Sequence, residues 1–202
     1  MLRRRELDDY TRSRLELVGD QLQRIQGIVR ELVTFSRPAS NQSERLAIAD
    51  VIAEALSIAK YYKGSKSRII TVDAPAELPV TRGVRGQLVS VFLNLVVNAV
   101  DATDKGGRID SGAHADDDLL VVTVVDDGHG MTADQQSRLF QPYFTTKPRG
   151  TGLGLFMARQ LLARHEGTIE CESTAGAGTR FTIRLPIAQP SVRVRAIAAA
   201  TG

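Results

Sequence analysis

Asn94, Asn98 and Asp101 recur at i, i+4 and i+7 within Asn94-Leu95-Val96-Val97-Asn98-Ala99-Val100-Asp101-Ala102. That spacing stacks the three side chains along one face of a helix. Asparagine is a mediocre helix former, so two of them one turn apart in an apolar stretch ask for a reason. Amide oxygens suit a hard cation such as magnesium, which takes few protein ligands and keeps several waters. Exposed, locally hydrogen-bonded amides would give the same pattern. A second group, Asp126-Asp127-Gly128-His129-Gly130, follows the apolar run Val121–Val125. A half-buried carboxylate at a strand end seeks a donor, such as an exocyclic amine or a water. The glycines let backbone approach a flat ligand closely, although a plain hairpin turn also reads Asp-Gly.

Further on, Gly150-Thr151-Gly152-Leu153-Gly154-Leu155 runs into a helical pattern. Glycines before a helix N-terminus present N–H groups to an anion; a hinge is the other reading. The segment has neither the Lys-Ser/Thr ending of a P-loop nor the Gly-x-Gly-x-x-Gly spacing of a dinucleotide fold. Upstream, Phe140-Gln141-Pro142-Tyr143-Phe144-Thr145-Thr146-Lys147 ends on a cation suited to a phosphate, or anchors a small apolar patch. Gly176-Ala177-Gly178-Thr179 reads as a turn into a strand.

These groups need elements to position them. Val84–Ala102 reads as a helix whose apolar face is Leu88, Val91, Phe92, Leu95 and Ala99. Ile48–Tyr62 reads as a helix with Asp50 as N-cap, and Gly152–His165 as a helix opened by glycines. Arg68–Val72 is a short β-branched run. Gly107–Ser111 and Leu119–Val125 read as a strand pair around a polar loop at 112–118, and Thr168–Ser173 and Thr179–Leu185 as a second pair. Helices and strands alternate without a βαβ rhythm, which predicts an α+β, two-layer sandwich with a mixed sheet rather than a doubly wound one. Residues 1–37 read as one long helix. Leu15, Val18, Leu22, Ile25, Val29 and Leu32 form a narrow heptad seam on it, and Pro38 ends it. The seam suits pairing with other helices; packing on the chain's own domain is the alternative. A polar linker at 38–44 separates this helix from a domain over 39–189, and 190–202 is an Ala-rich tail.

Composition sets the bounds. A hydrophobic fraction of 43% and a charged fraction of 24% exclude general disorder. A net charge of +3 is too mild to argue for nucleic acid. The lone Cys171 excludes an internal disulfide framework and a cysteine-built metal site. No apolar run approaches the roughly 20 residues that span a bilayer. Glu6, Asp8 and Asp9 stand where a signal peptide would need its apolar stretch. A reducing cytoplasm is compatible with all of this.

The motifs in this order resemble the sensor histidine kinases of two-component systems. Asn94–Ala102 matches their N box, Asp126–Gly130 the G1 box, Phe140–Lys147 the F box and Gly150–Leu155 the G2 box; Gly176–Thr179 matches the later Gly-Thr turn. The Phe-Thr-Thr-Lys box and its short step to Gly-Thr-Gly-Leu-Gly-Leu look like the nitrogen-regulation type. Residues 15–38 look like the second helix of the dimerisation and phosphoacceptor hairpin. The resemblance implies a Bergerat-type ATP-binding domain with ATP and Mg²⁺ as cofactors. On that reading Asn98 ligates Mg²⁺, and Asn94 replaces the glutamate base of the ATPase relatives. Asp126 accepts from the adenine amine, with Thr179 holding the water beside it. Gly128 and Gly130 shape the pocket wall, and Asp101 belongs to the nucleotide site. Gly150, Thr151, Gly152, Leu153, Gly154 and Leu155 form hinge and phosphate cradle. Lys147 meets a phosphate, and the residues between Gly130 and Gly150 form a lid. Asp127 departs from the asparagine usual at its position.

The resemblance has one gap. Nothing here matches the family's His-Glu-x-x-Asn-Pro-Leu phosphoacceptor box; the histidines are His114 in a polar loop, His129 in the Gly-rich turn and His165 as a cation at a helix C-terminus. The expectation is therefore the C-terminal part of a larger kinase that binds ATP without phosphorylating itself. Its implied partners are an upstream phosphoacceptor hairpin, a response-regulator receiver domain and a second copy in a homodimer, with no nucleic acid. The cytoplasm is the implied compartment, whether or not the parent is anchored through segments outside this chain. Two other readings stand: a non-catalytic nucleotide-sensing dimerisation module, and an ATPase or serine kinase of the same superfamily.

Overall fold

The computed structural model describes residues 8, 10–11, 13–15, 17–19, 21, 42–62, 64–148 and 150–188. The described residues from 10 to 21 are helical. Asp8 precedes them and caps them, accepting from the Thr11 backbone N–H at 2.7 Å and from its hydroxyl at 2.9 Å. Of the expected seam, Leu15 and Val18 fall among described residues, and each is 54% exposed. Leu22, Ile25, Val29, Leu32, the linker up to residue 41 and the tail at 190–202 lie outside the described residues.

The body is a five-stranded mixed sheet with helices on one face. Its strands are β2 (Ile69–Asp73), β4 (Arg108–Asp116), β5 (Leu119–Asp126), β6 (Thr168–Ser173) and β7 (Thr179–Pro186), in the order β2-β4-β5-β7-β6. β2 runs parallel to β4, and every other pairing is antiparallel. The helices are α1 (Ile48–Ala59), α2 (Arg85–Ala102), the short α3 (Ala133–Arg138) and α4 (Gly154–Arg164). A separate antiparallel pair, β1 (Glu44–Leu46) with β3 (Thr81–Gly83), is tied to the main sheet where the Thr81 hydroxyl donates to the Pro186 carbonyl.

The alternation of each strand sets the layers. Ile109, Ala113, Leu120, Val122, Val124, Phe181, Ile183 and Leu185 are buried on the helix side. The core they share includes Leu88, Val91, Phe92, Leu95 and Ala99 of α2, the apolar face expected from the spacing, and also Val96, which was not expected. The opposite face carries polar side chains, among them the Arg184–Glu170 pair at 2.7 Å. The same period of two carries Asp126 and Thr179 to the helix side, at the ends of their rows.

Four expectations are corrected. Asp50 sits in the first turn of α1 without capping it; Ala47 takes the cap position and no side chain caps there. α1 stops at Ala59, and α4 begins at Gly154. The expected polar loop at 112–118 shrinks to Asp117-Asp118, because β4 continues to Asp116 and pairs with β5 to Leu119. Ladder pairing outweighs the poor strand propensity of that stretch, and Asp117 supplies the positive φ, 49°, that a tight hairpin needs. His114 therefore stands on a strand opposite Val121. Third, β1, β3 and α3 were not expected; of these, α3 does carry a local signal, the Thr132-x-x-Gln135 capping box. Fourth, His165 is not a free helix-end cation: Nε2 accepts from the Val84 backbone N–H at 3.0 Å, and Nδ1 donates to the Leu161 carbonyl at 2.7 Å. That pair of bonds takes the neutral ring, which satisfies an N–H at the start of α2. Among the described residues no helix is long and apolar enough to cross a membrane.

Candidate nucleotide site

At one corner β5 ends on Asp126, opposite Thr179 of β7. Asp126 is 5% exposed, and one of its oxygens accepts from the Gly128 N–H at 3.0 Å. Burial pushes its carboxyl above the usual carboxylate value, against the opposing pull of the Gly128 hydrogen bond and of His129. A carboxylate withdrawn from water yet held by one backbone donor is set to accept from an incoming N–H. The backbone crowds around it. A Cβ on Gly128 would strike the Ala102 carbonyl at the end of α2, and one on Gly130 (φ 61°) the Thr174 carbonyl. These glycines are required by close approach of the chain's own backbone, where the spacing had suggested approach to a flat ligand. Ser173, which the motif reading passed over, lies 3.0 Å from the Thr179 hydroxyl and accepts from the Met131 N–H at 2.9 Å. It is the direct register partner of Thr179 across the β6–β7 hairpin.

Asp127 turns away from this pocket. Its side chain accepts from the Arg108 N–H at 2.9 Å at the start of β4. An asparagine oxygen could serve the same bond, so the departure at Asp127 is a matter of strand anchoring.

α2 presents Asn94 and Asn98 half-buried on one face. The Asn98 amide nitrogen points to the Asn94 carbonyl oxygen at 3.4 Å, which leaves the Asn98 carbonyl facing outward. There it accepts from the Lys147 ammonium at 2.7 Å. The same ammonium meets Asp101 at 2.6 Å, and the Tyr62 hydroxyl donates to the other Asp101 oxygen at 3.0 Å. Tyr62 was not foreseen: it is 39 residues from Asp101 and belongs to no motif. Burial, then the Asp101 charge, push its hydroxyl up to about 12, so it stays a donor.

The glycine-rich segment closes over this face. A Cβ on Gly154 would come within 2.6 Å of the Asn94 amide oxygen, so the start of α4 rests directly on the first asparagine. Gly152 has φ 71° and abuts the Tyr143 backbone, itself at φ 66°. Gly150 packs against Thr145, whose hydroxyl accepts from the Lys147 N–H at 3.1 Å. Leu153 is buried, and its N–H donates to the Thr151 hydroxyl at 3.3 Å. Leu155 is partly buried against the core. No side chain caps α4 and no acidic residue occupies its first turn, so its first N–H groups are available to an anion.

The segment from Gly130 to Gly150 is fastened at its near end. Thr132 and Gln135 form a capping box on α3, and Gln136 donates to the Ser173 carbonyl at 2.9 Å. Arg159 of α4 lies over the Phe140 ring at 5.5 Å. The far end, Thr145–Lys147, holds on through the side chains already described.

The donor set suits a triphosphate that brings its own cation. Among the described residues no three His, Cys, Asp or Glu side chains gather as a metal site. A divalent ion here would lean on the Asn98 oxygen and on phosphate oxygens, the sparse ligation magnesium accepts. The structure thus groups Asp126, Gly128, Gly130 and Thr179 at one corner, and Asn94, Asn98, Asp101, Lys147 and Gly150–Leu155 along the face of α2.

Residues 83–189 match the family described as histidine kinase-, DNA gyrase B- and HSP90-like ATPase. Sporulation kinase E of Bacillus subtilis (strain 168) is 31% identical over 174 residues, covering 86% of this chain and 24% of that protein. Sensor histidine kinase ZraS of Klebsiella oxytoca is 35% identical over 172 residues, covering 85% of this chain and 37% of that protein. The chain thus spans between about a quarter and somewhat over a third of these relatives. The nucleotide-free catalytic domain of histidine kinase ThkA superposes with a TM-score of 0.65 at 25% identity, over 72% of this chain and 96% of that one. ThkA in complex with the response regulator TrrA gives a TM-score of 0.72 at 20% identity, over 92% of this chain and 54% of that one, a likeness of fold.

Proposed function

Since the chain belongs to the histidine kinase-, DNA gyrase B- and HSP90-like ATPase family, we propose that it is the Mg·ATP-binding catalytic part of a sensor histidine kinase. The observation that carries this reading is Asn94 where a hydrolase needs a base. Its amide oxygen lies against the start of α4, beside the phosphate cradle. An amide can orient a group but cannot remove a proton at neutral pH. Water needs such a base; an imidazole brings its own lone pair. The attacking ring nitrogen forms an N–P bond to the γ-phosphorus as the bond to the β-bridging oxygen breaks. ADP leaves with that electron pair, and the ring's other N–H proton goes to solvent.

In this reading Asp126 accepts from the adenine amine, with Thr179 holding a water beside it. Gly128 and Gly130 form the wall. Gly150, Thr151, Gly152, Leu153, Gly154 and Leu155 cradle the phosphates with Lys147, and Asp101 belongs to the nucleotide site as the partner of Lys147. Asn98 would hold the magnesium, which when bound neutralises phosphate charge. The chain's own part is placement and charge stabilisation. The accepting histidine lies on an upstream hairpin. Support comes from this chain's own three: His165 has both ring nitrogens engaged, His129 Nδ1 lies 2.8 Å from the Gly130 carbonyl, and His114 is on the ladder of β4. The phosphoryl group then passes to a response-regulator aspartate. The exposed Leu15 and Val18 suit pairing of the hairpin helices in a homodimer, and the cytoplasm is the compartment in which this chemistry would run.

Incubation with γ-labelled ATP and a separately supplied acceptor hairpin tests this. The expected result is acid-labile, base-stable label on the hairpin and none on this chain. Phosphate release without the hairpin would instead point to an ATPase, and nucleotide binding without any transfer to a sensing module. Asn98→Ala should lose most of the magnesium-dependent affinity while its melting temperature stays near wild type.

A further inference from the structure

The Lys147 ammonium sits on the oxygens that the nucleotide's cation would need. It is 2.7 Å from Asn98 Oδ1 and 2.6 Å from Asp101 Oδ2. Asp101 in turn is held from its other side by Tyr62 at 3.0 Å. Four side chains from three separate stretches of sequence converge here. We propose that Lys147 is the resident cation of the metal position, and that it must leave before a metal-bearing nucleotide can settle there. Tyr62 is the positioning residue that keeps Asp101 aimed at the ammonium. This rests on the reading of the site as a nucleotide site.

The physical argument is exclusion. One amide oxygen cannot hold an ammonium at 2.7 Å and a magnesium ion at about 2.0–2.1 Å together, because two cations so close repel strongly. The exchange is inexpensive. Lys147 is 40% exposed on a flexible stem, so it can swing from Asp101 to the phosphates that the metal accompanies. Its backbone stays where Thr145 holds it. Until then the ammonium keeps the Asn98 carbonyl oriented outward and neutralises Asp101. Asp101 therefore opposes binding by holding Lys147 back, whereas a direct metal or phosphate role would make it favour binding. The two roles predict opposite signs.

The test is calorimetric titration of Mg·AMP-PNP into wild type, Asp101→Asn and Tyr62→Phe, alongside spectra of the lysine ammonium groups in ¹⁵N-labelled, nucleotide-free protein. Asp101→Asn should bind about two- to fivefold more tightly, since a half-exposed ion pair no longer has to be broken. Tyr62→Phe should move affinity the same way by less. Nucleotide-free wild type should show a slowly exchanging ammonium signal that Lys147→Met deletes and Asp101→Asn weakens, and Mg·AMP-PNP should shift it. Equal or weaker affinity in Asp101→Asn overturns the proposal, as does a missing Lys147 signal in the nucleotide-free protein. Wild type that binds no AMP-PNP at all sinks the nucleotide reading, and the proposal with it.

Discussion

At the end of the site proposed to take the base, Asp126 and Thr179 face each other across adjacent strands, nearly out of solvent, and backbone carbonyls crowd the glycines. At the end proposed to take the phosphates, Lys147 reaches back 46 residues to Asp101, and both side chains are partly exposed. Glycine serves both ends for different reasons. Gly128 and Gly130 let backbone lie on backbone from α2 and from the turn after β6, whereas Gly150 and Gly154 make room for the side chains of Thr145 and Asn94. A pocket wall of paired strands is formed before any ligand arrives. A cradle held by a lysine, an amide and a hydroxyl can let go and re-form. On the proposed reading, recognition of a flat base falls to the paired strands and accommodation of a chain of phosphates to the lysine-held end.

The contrast is sharpest where a glycine is filled. Gly130→Ala should be the most damaging change. It forces φ 61° on a side chain and drives a methyl into the Thr174 carbonyl. The expected loss is about 2–4 kcal/mol of stability, read by denaturant titration. An unaltered midpoint would show that the base end is as adjustable as the phosphate end.

Asp126→Asn should separate stability from binding. Nucleotide affinity should fall roughly 10- to 100-fold with the loss of a charged, buried acceptor. Stability should move the other way. Burial raises the folded-state value of this carboxyl, so ionising it costs the native state. The cost is absent below the ordinary carboxylate value of 3.8 and grows as pH rises through the raised value. The ligand-free variant should melt a few degrees higher than wild type at neutral pH, with the difference closing in acid. A difference that does not change with pH would remove burial as its cause.

His165→Phe probes the scaffold shared by both ends. The ring keeps its place on Gly83, but the Val84 N–H loses its acceptor. A loss of about 1–3 kcal/mol is expected, with affinity for nucleotide falling only as far as α2 frays. Gly152→Ala should be mildest for the fold. Its methyl would sit at φ 71° against the Tyr143 backbone, so affinity should drop several-fold while stability falls by about 1–2 kcal/mol. A large loss of stability there would erase the distinction between a fixed and an adjustable end.

Much was legible in the chain itself. The i, i+4, i+7 spacing placed Asn94, Asn98 and Asp101 on one face, and apolar periodicity picked Leu88, Phe92 and Leu95 as core. Local rules suffice there because helical period and strand alternation are properties of neighbouring residues. The reach of β4 through Gly112 and Asp116 was not legible, because its partner β5 decides it.

The order of the five motifs was enough to determine the α+β class. Tertiary structure alone decided that Asp127 anchors β4, that His165 accepts from the start of α2, and that Tyr62 steadies Asp101. Each of these is a directional bond between atoms distant along the chain. Such bonds depend on how whole layers come together, and no short window of sequence encodes that meeting.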